Sequence, residues 1–166
     1  MTPFQTFSSH WKPERRPIIE KALTIGMHLI KQFEGCRLRA YRCPAGIWTI
    51  GWGHTGNITQ GEQWTQDKAD QVLKEDIVSV AKHVICSAPH LLIHPNRFGA
   101  CISLTYNIGS SAFARSTLSR LIRVGRWNMA ADAFKSWRYV NRQENQGLIR
   151  RRAIERQVFL KDSESR

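Results

Sequence analysis

The sequence predicts an α+β fold of two lobes, with a small antiparallel sheet and a larger helical lobe joined by a long helix. Three observations predict it. First, Leu38-Arg39-Ala40-Tyr41 and Trp48-Thr49-Ile50-Gly51-Trp52 alternate with a strand period, and Pro44, Ala45 and Gly46 separate them as a turn. Second, Ala69, Val72, Leu73, Asp76, Ile77, Val80, Ala81 and Val84 lie on one stripe at helical spacing. A helix of ~20 residues spans ~30 Å, long enough to connect two lobes. Third, the chain beyond Pro89 is patterned as short helices.

In chain order, residues 1–17 hold Pro3, Pro13 and Pro17 among polar and basic residues, and read as an N-terminal tail. Ala22, Ile25, Leu29, Ile30 and Phe33 form the first helical stripe, with Thr24 as a cap for its best-patterned turns and Gly35 closing it. Glu34 therefore sits at a helix C-terminus, where the dipole disfavours a negative charge. Thr65 caps the long helix, which stops before Pro89. Phe98, Cys101, Ile102 and Thr105 form the next stripe. Leu118, Leu121 and Ile122 form another, closed by Gly125. Asn128 caps a helix carrying Ala130, Ala131, Phe134 and Trp137. Leu148, Ile149, Ile154, Val158 and Phe159 belong to a last, very basic helix, and Ser163 to Arg166 read as a frayed end. The expected organisation is one domain: a tail over 1–17, a small α/β lobe with the chemistry over 18–64, a connecting helix over 65–86 and a helical lobe over 87–162.

At 166 residues the chain is long enough for a substantial core. Lys and Arg total 25 against 13 acidic residues, a net +12, and the pI is near 10.2. Such a chain is drawn to polyanions: nucleic acid, anionic lipid or an acidic cell wall. Arg115, Arg120, Arg123 and Arg126 meet no acidic residue between them. No stretch is apolar enough to span a membrane, and residues 1–16 lack the apolar core of a secretory leader, so folding in the cytoplasm is expected. Cys36, Cys43, Cys86 and Cys101 show no metal-binding spacing and are expected as reduced thiols. A disulfide between Cys36 and Cys43 is the alternative.

The residues that carry chemistry are Glu34, Cys43 and Thr49. Eight residues separate the first two and five the last two. This spacing resembles the phage-type lysozymes, the endolysins or muramidases of glycoside hydrolase family 24. Their signature is a Glu, eight residues, an Asp or Cys, five residues, then a Thr. Phe33 to Tyr41 is similar to that family's helix end and first strand, and Trp48 to Thr55 to its second strand. Leu104 to Gly109 and Gly147 to Arg152 resemble its helical lobe. The resemblance runs in order over about residues 22–161. It implies a lysozyme-like α+β fold and hydrolysis of the β-1,4 bond of peptidoglycan after N-acetylmuramic acid. It implies no metal and no cofactor.

Breaking a glycosidic bond needs an acid for the leaving oxygen and a second group that attacks or directs water. A free glutamic acid releases its proton near pH 4.3, so an acid working near neutrality needs surroundings that disfavour its charge. Glu34, beside Phe33 at a helix end, is expected to have them, and an arginine close by would oppose them. At the second position, a neutral thiol is a weak base, whereas a thiolate can deprotonate water or attack carbon. The roles open to Cys43 are therefore base, nucleophile and water positioner. The resemblance implies attack by water with inversion, with Thr49 hydrogen-bonded to that water.

His54 reads as a structural histidine that chain order places to pair with Asp76. Tyr106, Asn107 and Ser116 lie where the resemblance puts the helical wall of the substrate cleft. Trp48 and Trp52 share a strand face on which sugars stack or a core packs. The partners expected are peptidoglycan, anionic envelope polymers and, as an implication of the family, a holin-type pore for export. A monomer is expected and nucleic acid is not. Three other readings remain at this point. A lytic transglycosylase needs only Glu34 and no water. A basic nucleic-acid binder explains the charge but not the Glu34–Cys43–Thr49 spacing. A membrane-disrupting helix over 147–160 would act without catalysis.

Overall fold

The computed structural model describes residues 1–163. Its first seventeen residues, expected as a tail, are folded: helix α1 spans Pro3–Ser8 and a 3-10 turn spans Pro13–Arg15. Thr2 Oγ1 accepts from the Gln5 N–H at 3.3 Å, and the Gln5 side chain accepts from the Thr2 N–H at 2.9 Å. This capping box starts the helix. Phe4 and Phe7 hold it, both buried in the main core. Two aromatic anchors in a short, proline-punctuated stretch make no periodic signal, so only their tertiary burial reveals the element.

Helix α2 spans Arg16–Phe33, with Pro17 in its first turn, so Thr24 lies inside the helix rather than capping it. Its buried face is Ile19, Ala22, Leu23, Gly26, Leu29 and Ile30. That face packs on helix α4, Pro95–Ile108. Two glycines permit the approach. A Cβ at Gly99 would stand 2.5 Å from Ile25 Cγ2 and 2.9 Å from the Ala22 carbonyl oxygen, and one at Gly26 would stand 2.7 Å from Ile102 Cγ2. Helix α2 therefore joins the helical core instead of the small lobe in which 18–64 was grouped.

Strands β1, Arg37–Arg42, and β2, Trp48–Gly51, form the expected antiparallel hairpin, with Tyr41 opposite Thr49 and Arg42 opposite Trp48. The chain then returns along β1. Ala40 N–H donates to Glu62 O, and Trp64 N–H to Leu38 O, at 2.9 and 2.8 Å. Ile50, Trp64 and Ala69 make a separate small core beneath this hairpin. Helix α3, Gln66–Ser87, starts at Thr65, whose side chain accepts from Lys68 N–H. Its Ala69 belongs to the small core, while Leu73, Ile77, Ala81 and Val84 belong to the main one. One helix thus ties both lobes together, as its length implied.

The remaining elements are α5 (Ser110–Ala114), α6 (Thr117–Arg123), α7 (Trp127–Ala133) and a small hairpin of β3 (Tyr139–Val140) and β4 (Gln143–Glu144). Helix α8 follows over Gln146–Leu160, capped by Asn145. Arg126 holds the N-cap position of α7, so Asn128 lies within that helix. The small hairpin was not anticipated. Its turn puts Asn141 and Arg142 at φ 49° and 65°, the twist two-residue hairpin loops favour.

The buried face of α8 is Arg151, Arg152, Glu155 and Phe159. Half the basic character of the last helix therefore points into the protein, and Arg156 is held by Asp132 at 2.9 Å. A membrane-disrupting amphipathic helix needs an apolar face free to insert, so this packing removes that reading of residues 147–160. Of the frayed end expected over 163–166, residues 164–166 lie outside the described residues.

Candidate active site

Glu34 is the C-cap of α2, with extended backbone at φ −91° and ψ 131°. Leaving the helix there turns its side chain off the core, and 28% of that side chain remains exposed. Its Oε1 accepts from Arg151 Nη1 at 2.7 Å. Arg151 is itself only 5% exposed at the side chain. Its Nε donates to Glu155 Oε1 at 3.1 Å and its Nη2 to the Ser103 carbonyl at 3.2 Å. The other oxygen, Oε2, faces Gly53, where a Cβ would stand 3.9 Å from it and 3.9 Å from the Tyr106 hydroxyl. Gly53 has φ +96°, which favours glycine, so the residue that keeps this space open is also the one the backbone requires.

Cys43 lies at the turn after β1. Its N–H donates to Ile47 O at 3.0 Å, and its carbonyl accepts from Gly46 N–H at 2.7 Å. Hydrogen bonding from the Ile47 backbone, then from Ala45 and the Thr49 hydroxyl, outweighs burial and holds the thiol below its ordinary value. The turn therefore lowers the thiol without help from Arg42. That guanidinium instead stacks on Trp48, 4.7 Å from the ring centre, and donates to Gly46 O. Thr49 is buried in β2, and its hydroxyl donates to Ile47 O at 3.0 Å. Ile47, Thr49 and Cys43 thus form one hydrogen-bonded unit at the hairpin tip. The four cysteines are free thiols, so Cys36 and Cys43 are not joined.

His54 Nδ1 lies 2.7 Å from Asp76 Oδ2, and Nε2 lies 3.2 Å from Gly56 O. This contact ties the loop after β2 to helix α3. Burial pushes the Asp76 carboxyl up, against the pull of His54. Tyr106 donates to the Trp52 carbonyl at 2.8 Å. Its hydroxyl is pushed up by burial, then by Asp76 and Glu34, and so stays protonated. With Gly53, His54 and Asp76 it lines a concavity of about 260 Å³. Asn107 accepts from Arg152 Nη2 at 2.9 Å. Ser116 is the N-cap of α6, accepting from Ser119 N–H at 3.0 Å and donating to Phe113 O. Trp52 Nε1 donates to Asp70 at 2.7 Å, which makes Trp52 a packing residue between the lobes.

Sequence reasoning missed Arg151, Arg152, Glu155 and Gly53. The arginines are visible in the sequence only as part of a very basic last helix. The signal that distinguishes them is Glu155, at i+4 and i+3 from the two arginines on one helix face. The arrangement offers a carboxyl group with one oxygen held and one open, a thiol lowered by the backbone of its turn, and a hydroxyl bonded to the same carbonyl as the thiol's own N–H. These are the parts of an acid and a nucleophile-directing group, which glycoside cleavage needs.

Residues 31–155 match the family described as phage lysozyme. The chain is 39% identical to an endolysin of Acyrthosiphon pisum secondary endosymbiont phage 1, over 81% of this chain and 94% of that protein. It is 39% identical to the endolysin of Salmonella phage P22, again over 81% and 94%. Among solved structures, the muramidase domain of SpmX from Asticaccaulis excentricus is similar with a TM-score of 0.73 and 37% identity, covering 81% of this chain and 94% of that one.

Proposed function

The chain belongs to the phage lysozyme family and is a peptidoglycan hydrolase with a lysozyme-like α+β fold, and from that premise we propose that Glu34 is its general acid and Cys43 with Thr49 its water-directing pair. The bond cut is the β-1,4 link after N-acetylmuramic acid. The observation that carries the reading is the asymmetric holding of Glu34. Arg151 donates to Oε1, so the proton of the acid belongs on Oε2, the oxygen beside Gly53. From there it passes to the glycosidic oxygen as the bond to the anomeric carbon breaks. Water adds to that carbon, and its proton goes to the Cys43 thiolate. Thr49, whose hydroxyl donates to Ile47 O, accepts a hydrogen bond from that water. Tyr106 is the wall residue beside this centre, whereas Asn107 is held by Arg152 and the Ser116 hydroxyl is engaged in capping.

The test is mass spectrometry of the products from purified peptidoglycan, with Glu34→Gln and Cys43→Ala beside the unaltered protein. Reducing muramic acid ends, lost in Glu34→Gln, are the expected result. Anhydro-muramic ends would replace hydrolysis by lytic transglycosylation and leave Cys43 a structural role. No cleavage, with tight binding of DNA instead, would move the reading to nucleic acid.

The protein acts on the cell wall. No helix among the described residues is long and apolar enough to cross a membrane. We further propose that it works as a monomer and reaches the wall through a holin-type pore. Arg115, Arg120, Arg123 and Arg126, all exposed, would draw it to anionic envelope polymers, an attraction that weakens as salt rises.

A further inference from the structure

Glu155 is fully buried, at 0% exposure, yet it is an acid with no place in the mechanism above. Its Oε1 accepts from Ser103 Oγ at 2.7 Å and from Arg151 Nε at 3.1 Å. Its Oε2 lies 3.0 Å from Arg152 Nε, an ion pair whose N–H does not point along the line of a hydrogen bond. A buried carboxylate is costly unless paired, and this one is surrounded by partners. Arg151 carries the connection outward, because the guanidinium that Glu155 holds on one edge holds Glu34 on another.

The charges in this cluster can be followed one by one. Arg151 and Arg152 are positive; Glu155 and an ionised Glu34 are negative. The other titratable groups facing the pair come from α4. Tyr106 is beside Glu34, and Cys101 is beside Glu155, its thiol raised by burial and by that carboxylate. Both are neutral at working pH. A cation 2.7 Å from a carboxyl group favours its charged form, which works against a general acid. Glu155 offsets that cation from the far side.

We propose that Glu155 is a positioning residue for the acid: it orients Arg151 so that Glu34 Oε2 stays open, and its charge offsets the guanidinium that faces the acid. This rests on the reading of Glu34 as the acid. Burial raises the Glu155 carboxyl above its ordinary value, more than Arg152, Ser103 and Arg151 pull it down. Burial likewise draws Arg152 down to about 10. Two guanidinium groups at 3.1 and 3.0 Å and a hydroxyl at 2.7 Å around one carboxyl group are the surroundings that an ionised Glu155 needs.

A charge-based role gives opposite signs for opposite removals. An acid catalyst loses activity as pH rises through its own deprotonation, on the alkaline limb of kcat/KM. Glu155→Gln removes a negative charge, leaves Arg151 uncompensated and moves that limb to lower pH, by about 0.5–1 unit given the size of single-neighbour effects. Arg152→Met removes a positive charge and moves the limb to higher pH by a similar amount. Ser103→Ala deletes a hydrogen bond to Glu155 but no charge, and leaves the limb in place. Peptidoglycan turnover is measured from pH 4 to 9 for all three full-length variants and Glu34→Gln, with circular dichroism at each pH as the check on folding. Shifts of opposite sign support the proposal. Limbs that stay put, or that move the same way in both charge variants, overturn it. If Glu155→Gln does not fold, the direction of the Arg152→Met shift decides alone. If Glu34→Gln retains activity, the acid assignment fails instead, and the failure is told apart from that of the relay.

Discussion

Replacing Gly99 by alanine sets helix propensity against packing, and the structure says which wins. Gly99 lies inside α4, where alanine is favoured over glycine by about 1 kcal/mol. On propensity alone the substitution stabilises. The added Cβ, however, would stand 2.5 Å from Ile25 Cγ2, 2.7 Å from Ile25 Cβ and 2.9 Å from the Ala22 carbonyl oxygen. Ile25 can shift a little, but a backbone carbonyl cannot move without moving α2. Overpacking of this kind costs about 1–3 kcal/mol, and more where backbone must give. With the top of that range against the propensity gain, the net expected loss is about 2 kcal/mol. For a chain of this size that lowers Tm by about 4–8 °C. Urea unfolding followed by circular dichroism should show a lower midpoint at unchanged slope, the mark of a stability change without a change in compactness. Gly26→Ala meets only the Ile102 side chain and the Gly99 carbonyl, at 2.7 and 3.4 Å, and should lose less, about 1 kcal/mol. A Gly99→Ala protein as stable as the parent would refute the claim that glycine sets the spacing of α2 and α4.

The other expectations concern the tail, the acid range and the thiol. Phe7→Ala removes a buried anchor of α1 and should cost about 3 kcal/mol in urea unfolding; no loss would return residues 1–17 to the status of a tail. Burial raises the Asp70 carboxyl, but Lys31, Trp52 and Gln66 outweigh it, so its value is lowered on folding. Its contribution is therefore complete above the unfolded value near pH 4 and drains as pH falls through the depressed folded value. Asp70→Asn should flatten the stability curve below pH 4; an unchanged slope would remove Asp70 from that account. The alkylation rate of Cys43 with iodoacetamide should titrate below the ordinary thiol range near 8.5, and Thr49→Val should move that midpoint up. Cys43→Ala should lower turnover by about a hundredfold, and wild-type turnover from that variant would remove the thiol from the reaction.

The legible part of the fold was the part whose signal is local. The hairpin alternates over Leu38–Tyr41 and Trp48–Trp52. The long helix repeats its apolar stripe from Ala69 to Val84 and announces its start with Thr65. The proposed site residues Glu34, Cys43 and Thr49 stand out in the sequence because they sit at fixed spacings along one short stretch, around one helix end and one turn. The tail was misread because Phe4 and Phe7 acquire meaning only from the core that receives them. Grouping α2 with the small lobe failed because an apolar stripe says that a helix is buried, not against what. Gly99 and Gly26 acquire their meaning only there, as the two points where α4 and α2 come closest.

By itself the sequence determined the local grammar of this protein: strand and helix periods, the cap at Thr65, the turn at Gly46, and the spacing of Glu34, Cys43 and Thr49 on which the proposed chemistry rests. Periodicity and spacing act over a few residues, so they survive in a linear text. The tertiary structure alone decided what lies behind the acid. Arg151 and Glu155 are 117 and 121 positions from Glu34, and no local rule links them. They meet because α8 packs on α4 and α2 ends beside both. Buried opposite charges draw together strongly only once water is excluded, which happens when those helices have closed.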